Sequence, residues 1–261
     1  MPRSLPDMLG PDNQTMIRVD SVGVAYARRQ LPFSKKPRRS WAIHDVSFDV
    51  EAGETVGIVG RNGAGKSTLL KLLAGLIEPD RGRVERQPAR ISLLSLQVGF
   101  LPHLNGRENA ILSGILLGLD KREVSTLIPQ IFDFAELSSF VDEPLQTYSS
   151  GMKARLGFAV AYFAAPEILL IDEVLGVGDM SFREKSSKAI QEIIRSNRTV
   201  VLVSHNMGVL EDICDRIVWI EDGETRATGK PAAILESYRA YIHSLPSRGD
   251  GPVLANQPLI G

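Results

Sequence analysis

The chain has 261 residues, 43% of them apolar, which is enough to bury a sizeable core and excludes a disordered chain. Its 30 basic and 31 acidic residues leave a formal net charge of −1, giving no overall electrostatic reason to bind nucleic acid. The lone cysteine, Cys214, cannot form an internal disulfide and sits in the apolar pattern VLEDICDRIVWI, where a buried thiol fits better than a reactive one and agrees with a reducing cytosol. At the N-terminus, MPRSLPDMLGPDNQ mixes prolines and acids where a signal peptide would carry a continuous apolar core, so residues 1–15 are expected to be a flexible lead-in.

From Met16 the alternation of apolar and polar side chains in IRVDSVGVAY, and later in VSFDV, predicts half-buried antiparallel strands. Between them Arg28–Arg39 reads RRQLPFSKKPRR, with six basic residues and no acid, and on its own is a solvated hairpin loop. The apolar TVGIV then runs into GRNGAGKST, residues 60–68, which fits the GxxxxGK[ST] phosphate loop. Gly60, Gly63 and Gly65 let the backbone turn around a triphosphate so that N–H groups, including those of Asn62 and Thr68, face its oxygens. The following helix adds the positive end of its dipole. Lys66 would reach the outer phosphates of ATP, and Ser67 would hold Mg2+.

From about 98 to 165 the pattern turns helical, with RENAILSGILLGL, KREVSTLIPQIFDFAEL and GMKARLGFAVAYFAA separated by short breaks, as an inserted helical subdomain would be. The apolar runs AILSGILLGL and LGFAVAYFAA are each about half the roughly 20 residues of a membrane helix, so the chain is not expected to span a bilayer. Strand-like EILLID and TVVLVS then alternate with helices, the rhythm of a parallel sheet covered on both faces. In ILLIDEV, Asp172 ends a buried strand where open parallel sheets bind ligands and would support Mg2+, and Glu173 would orient the attacking water as general base. His205, at the end of VLVSHN, could contact the γ-phosphate through a ring nitrogen, although a strand-end histidine taken alone is more often a packing or capping residue. A helix-like PAAILESYRAYIH precedes a Pro- and Gly-rich tail, residues 244–261, expected to be flexible.

The order of these elements over residues 16–243 resembles the nucleotide-binding domain of ATP-binding cassette (ABC) transporters. YSSGM, residues 148–152, stands where that family carries its LSGGQ signature; read without the family it is a turn and helix cap. The resemblance implies that two such chains pack head to tail, with Ser149, Ser150 and Gly151 of one covering the ATP held by the other. It also implies that Asp179 belongs to the dimer-contacting loop. Tyr26 falls where the family stacks an aromatic ring on adenine, though a core tyrosine would read the same. Gln97 lies about where the family places a glutamine linking Mg2+ to the membrane subunit, and Leu96 aligns about as well.

The strings YSSGMKARLGFAVA, GFLPHLNGREN and IDEVLGVGDMSFREK are similar to the polysaccharide-exporting branch, which handles O-antigen, capsule and teichoic acid, and they also resemble actinobacterial cell-wall galactan exporters. Asn105, Gly176 and Met152 depart from that branch's or the family's usual Thr, Ala and Gln. The implied fold is an α/β P-loop NTPase of ABC type: a mixed sheet core, an N-terminal antiparallel β-subdomain and the inserted helices. The implied protein is an ATPase at the cytoplasmic face of the bacterial inner membrane. It would act as a homodimer beneath two copies of a permease, exporting a lipid-linked glycan and using no nucleic acid. The basic 28–39 segment could then attract anionic lipid or the glycan's pyrophosphate. The roughly 20 residues after His243 are too few for the carbohydrate-binding β-sandwich that some members carry. Other readings are an ABC ATPase of a drug or lipid exporter, a soluble ABC-type ATPase, a P-loop kinase or GTPase, and a regulatory ATP-binding scaffold.

Overall fold

A computed structural model describes residues 14–27, 39–94, 98–164, 166–172, 180–196 and 198–245. Apolar side chains alternate along Thr15–Ala27 (β1) and Arg39–Glu51 (β2), so each strand buries one face, with Ile17, Val19, Val22 and Val24 facing the core beside Ile43, Val46, Phe48 and Val50. The two pair antiparallel, and a bulge between Val19 and Val22, where Ser21 takes φ 47, shifts the alternation by one residue and keeps the same face inward. Thr55–Val59 (β3) is buried at every position and leads through the phosphate loop into Lys66–Leu73 (α1). Arg81–Arg86 (β4) then pairs antiparallel with β1, which agrees with the expected antiparallel N-terminal layer, and Ile91–Leu93 (β5) follows.

Three helices come next: Gly106–Leu116 (α2), Lys121–Phe134 (α3) and Ser150–Ala164 (α4). The first two begin with capping boxes, Asn105 with Glu108 and Asp120 with Glu123, each side chain satisfying an N–H at the helix start. Asn105 therefore does the capping that the branch's usual Thr would do, which accounts for that departure physically. Their apolar faces close around Val124, Ile131, Phe132, Tyr148, Leu156 and Val160. The opposite face of α4 adds Phe158 and Ala161 to the cluster beneath the sheet.

The chain returns through Ile168–Asp172 (β6), Met180–Arg195 (α5), Thr199–Val203 (β7), Met207–Ile213 (α6), Arg216–Glu221 (β8), Glu224–Gly229 (β9) and Pro231–Ser244 (α7). In α5 the buried residues Phe182, Ser186, Ala189 and Ile190 fall at helical spacing against the sheet. Among the described residues the nine strands form one mixed sheet in the order β4-β1-β2-β9-β8-β3-β7-β6-β5, with β8, β3, β7, β6 and β5 parallel. No helix among the described residues is long and apolar enough to cross a membrane.

Candidate functional site

Parallel register brings three strand ends to one rim. Ile58 of β3 lies opposite Val203 of β7, and Val203 lies opposite Asp172 of β6. The phosphate loop, the Asp172 carboxylate and the Ser204–His205 turn therefore leave the sheet side by side, at the C-terminal edge where such sheets bind ligands.

Steric contacts explain two glycines of the loop. A Cβ on Gly60 would stand 2.0 Å from the carbonyl oxygen of Ile220. Gly65 has φ 98, and its Cβ would stand 2.3 Å from Ile43 and 2.5 Å from the carbonyl oxygen of Ala42, so no other residue fits there without moving β2. Lys66 opens α1 with its side chain buried, and its Nζ donates to the carbonyl oxygens of Gly60 at 2.7 Å and Arg61 at 2.9 Å.

Over this loop lies a cavity of about 420 Å3. Asn62, Gly63, Gly65, Lys66, Ser67 and Thr68 form its floor, Asp172, Val203 and His205 one wall, and Tyr26 with Ala42 the other. Tyr26 is 46% exposed, so its ring is a wall of this cavity rather than a core residue. Ser67 Oγ and the Asp172 carboxylate border the same space, and one hydroxyl with one carboxylate suits a hard divalent cation that takes its remaining ligands from phosphate and water. Around His205 the turn is fixed on both sides. The N–H of Asn206 donates to Ser204 Oγ at 3.1 Å, and the Asn206 side chain caps α6 by accepting from the N–H of Val209.

A larger cavity of about 500 Å3 lies behind His205 between α5 and α6, walled by Ile190, Val209 and Ile213. Its described lining holds no lysine, arginine or glycine loop, so the smaller cavity is the one equipped for a triphosphate.

The signature stands apart from both. Tyr148 is buried, its hydroxyl donating to the carbonyl oxygen of Phe140, and Ser149 Oγ accepts from the N–H of Met152 at 3.1 Å, capping α4. Ser149 and Ser150 are exposed, and none of Ser149, Ser150 and Gly151 lines the cavity. Among the described residues a Cβ on Gly151 would meet only Ser149 Oγ, at 3.8 Å, so none of them demands glycine at that position.

Glu173, Gln97, Asp179 and residues 28–38 lie outside the described residues. Arg39, the last of the basic run, donates to Asp80 at 2.9 Å, and the N–H of Ala25 donates to the other oxygen of that carboxylate, holding its pKa below the ordinary value together with Arg39. Ala42 was not singled out from the sequence. It reaches the cavity only because β2 pairs with β1 across the intervening basic run, and nothing in its neighbours marks it.

The sequence matches the ABC transporter family over residues 43–176. It is 50% identical over 204 residues to the O-antigen export system ATP-binding protein RfbB of Klebsiella pneumoniae, a match covering 78% of this chain and 83% of that protein. It is 40% identical over 209 residues to the teichoic acids export ATP-binding protein TagH of Lactococcus lactis subsp. lactis, covering 80% of this chain but 45% of the relative. Among solved structures, an ATP-binding subunit of an ABC transporter superposes with a TM-score of 0.69 at 22% identity, covering 86% of this chain and 94% of that one. A dimeric bacterial ABC transporter cassette gives 0.65 at 25% identity, covering 83% and 99%.

Proposed function

Since this chain belongs to the ABC transporter family, we propose that it is the ATP-hydrolysing subunit that powers export of a lipid-linked polysaccharide across the bacterial inner membrane. The cargo is inferred from the 50% identity to an O-antigen export ATP-binding protein. One geometric observation carries the mechanism: the ATP-sized cavity from Tyr26 to Asp172 has no wall contributed by Ser149–Gly151. A second copy packed head to tail supplies that wall. Its α4 N-terminus offers N–H groups and the Ser149 hydroxyl to the γ-phosphate, and Gly151 permits the close approach.

In this reading Tyr26 stacks on adenine, while the N–H groups from Asn62 to Thr68 and the start of α1 take the phosphates. Lys66 places its ammonium on the outer phosphates. Ser67 and Asp172 are the groups that would hold Mg2+, which when bound would neutralise charge developing on the transferred phosphate. Glu173 follows Asp172 directly and orients the attacking water as general base, and His205 donates to a γ-phosphate oxygen. Gln97 links this centre to the membrane subunit, and Asp179 contacts the partner chain. ATP binding closes the homodimer and hydrolysis reopens it beneath two permease copies, as a heterotetramer at the cytoplasmic face.

Glu173→Gln tests the site. ATP binding should persist, turnover should nearly stop and light scattering should show an ATP-trapped dimer; near-normal hydrolysis would remove Glu173 from the base role. Affinity purification from membranes tests the assembly, since the chain should bring down an integral-membrane protein, and recovery with ribosomes instead would sink the exporter reading.

A further inference from the structure

One more charged pair stands at the ligand rim. Strand β8 runs parallel to β3 with Val59 opposite Trp219, so Arg61 of the phosphate loop comes level with Glu221, the last residue of β8. Their side chains meet with Arg61 Nε 3.4 Å from Glu221 Oε1. The two partners differ sharply in exposure, 35% for the Arg61 side chain against 1% for that of Glu221. The other oxygen of Glu221 has no hydrogen-bond partner among the described residues. A buried carboxylate in that position depends on its cation, because separating the pair leaves a charge in a poorly solvated place.

Arg61 is also where the loop meets Lys66. Its carbonyl oxygen accepts from Lys66 Nζ at 2.9 Å and from the N–H of Ala64 at 3.1 Å. One residue is thus tied to β8 through its side chain while its backbone shapes the turn that holds the phosphate-binding lysine. Just before it, Gly60 lets the loop lie against the backbone of Ile220, so loop and strand are in register at two successive residues. Behind β8, Trp219 packs edge-on against Tyr238 of α7 with ring centroids 5.5 Å apart. The Tyr238 phenol is pushed up mainly by burial and then by the charge of Glu221, with Arg61 opposing, so it senses the same pair.

We propose that Glu221 is a positioning residue for the ATPase: through Arg61 it fixes the first turn of the phosphate loop, and with it the setting of Lys66 and of the N–H groups that receive the phosphates. The pair acts on nucleotide affinity and not on the chemical step, because neither side chain lines the cavity where the phosphates react. This rests on the ATP-binding reading of the site.

The test uses the full chain and a fluorescent ATP analogue with Mg2+, with kcat, KM and urea midpoint measured on every variant. Glu221→Gln, which keeps shape and removes charge, should weaken binding and raise KM about 5- to 20-fold while kcat stays within about 2-fold. Arg61→Gln should weaken binding by a similar factor and should also unfold more readily, because it strands the buried carboxylate. The double substitution should be no worse in affinity than either single one. Wild-type affinity in Glu221→Gln, or losses that multiply in the double variant, would overturn the proposal. Should a single variant fail to fold, the double variant decides, since wild-type affinity with both charges gone would also overturn it. Failure of the wild-type chain to bind the analogue would instead reject the ATP-binding reading itself.

Discussion

The phenol of Tyr148 lies against Gly106 so closely that a Cβ on the glycine would stand 2.2 Å from the tyrosine oxygen. The first residue of the signature is therefore an anchor between α2 and the segment leading into α4, its hydroxyl held by the carbonyl of Phe140. Burial, with the charges of Glu143 and Asp142, pushes this phenol up to about 12 from an ordinary 10.0. The Leu usual in the family would fill the space without the hydrogen bond, so Tyr148 ties the signature more firmly to the helical cluster.

Gly106→Ala should accordingly destabilise the chain by about 1–3 kcal/mol through overpacking. Adding Tyr148→Leu should recover part of that loss, because it removes the oxygen but leaves Phe132 and the carbonyl of Val141 each 3.0 Å from the new Cβ. Urea unfolding of the two single variants and the double variant measures the coupling, and fully additive losses would show that the phenol is not the limiting contact.

Lys66→Ala should weaken nucleotide binding itself. A charge-assisted contact to phosphate contributes about 1.5–3 kcal/mol, corresponding to about a 10- to 150-fold rise in Kd. The unbound fold should hold, because the loop carbonyls of Gly60 and Arg61 that accept from Lys66 can be satisfied by water in its place. A fluorescent ATP analogue gives the affinity and thermal melting gives the stability, and a Kd within twofold of wild type would remove Lys66 from the phosphate site.

What was legible in the sequence is what local spacing encodes. The phosphate loop, Asp172 at a strand end and the helical runs that begin at Arg107 and Lys121 all rest on neighbouring residues. Nearly all of β1 was legible across the bulge at Ser21, but of β2 only Val46–Val50 was, because its exposed start and the three-residue step from Ile43 to Val46 break the period of two that marks a strand. The β8–β9 hairpin did leave a local sign. Asp222 and Gly223 both take positive φ at its turn, 50 and 82, and Asp-Gly is a favoured pair there, but the apolar run before it reads as well for a buried helix. The pairing of Arg61 with Glu221 and the approach of Ala42 to the loop depend on strand order alone, which one sequence without its fold does not state.

Cys214 is 9% exposed, against Gly57 and Leu210, and burial with the nearby charge of Asp215 pushes its thiol up to about 12 from an ordinary 9.0. The folded state favours the protonated thiol, so this contribution to stability is complete below pH 9 and is lost as pH climbs through 9 toward 12. At pH 8 a disulfide reagent should react only at the rate of unfolding, and rapid labelling of the folded chain would contradict the burial. Cys214→Ala should flatten the fall in urea midpoint just above pH 9, before buried phenols such as Tyr148 begin to titrate.

Arg216 and Glu54 form a two-point ion pair, Nε to Oε1 at 2.7 Å and Nη2 to Oε2 at 2.9 Å, with Nη2 also donating to the carbonyl oxygen of Asp49 at 2.7 Å. Both side chains are mostly buried, so salt screens the pair less than a surface one. The pair ties the first residue of β8 to the turn before β3, at the N-terminal edge of the parallel strands and opposite the phosphate loop. Glu54→Gln should cost about 1.5–3 kcal/mol by removing the charge from paired hydrogen bonds. Arg216→Lys should also destabilise, since an ammonium cannot present two parallel donors to the carboxylate. Both should leave the ATP affinity of the folded fraction unchanged, because the sheet transmits no charge from one edge to the other. Urea midpoints paired with analogue binding below the unfolding transition separate the two effects, and a fall in affinity with unchanged stability would place this pair in the nucleotide site instead.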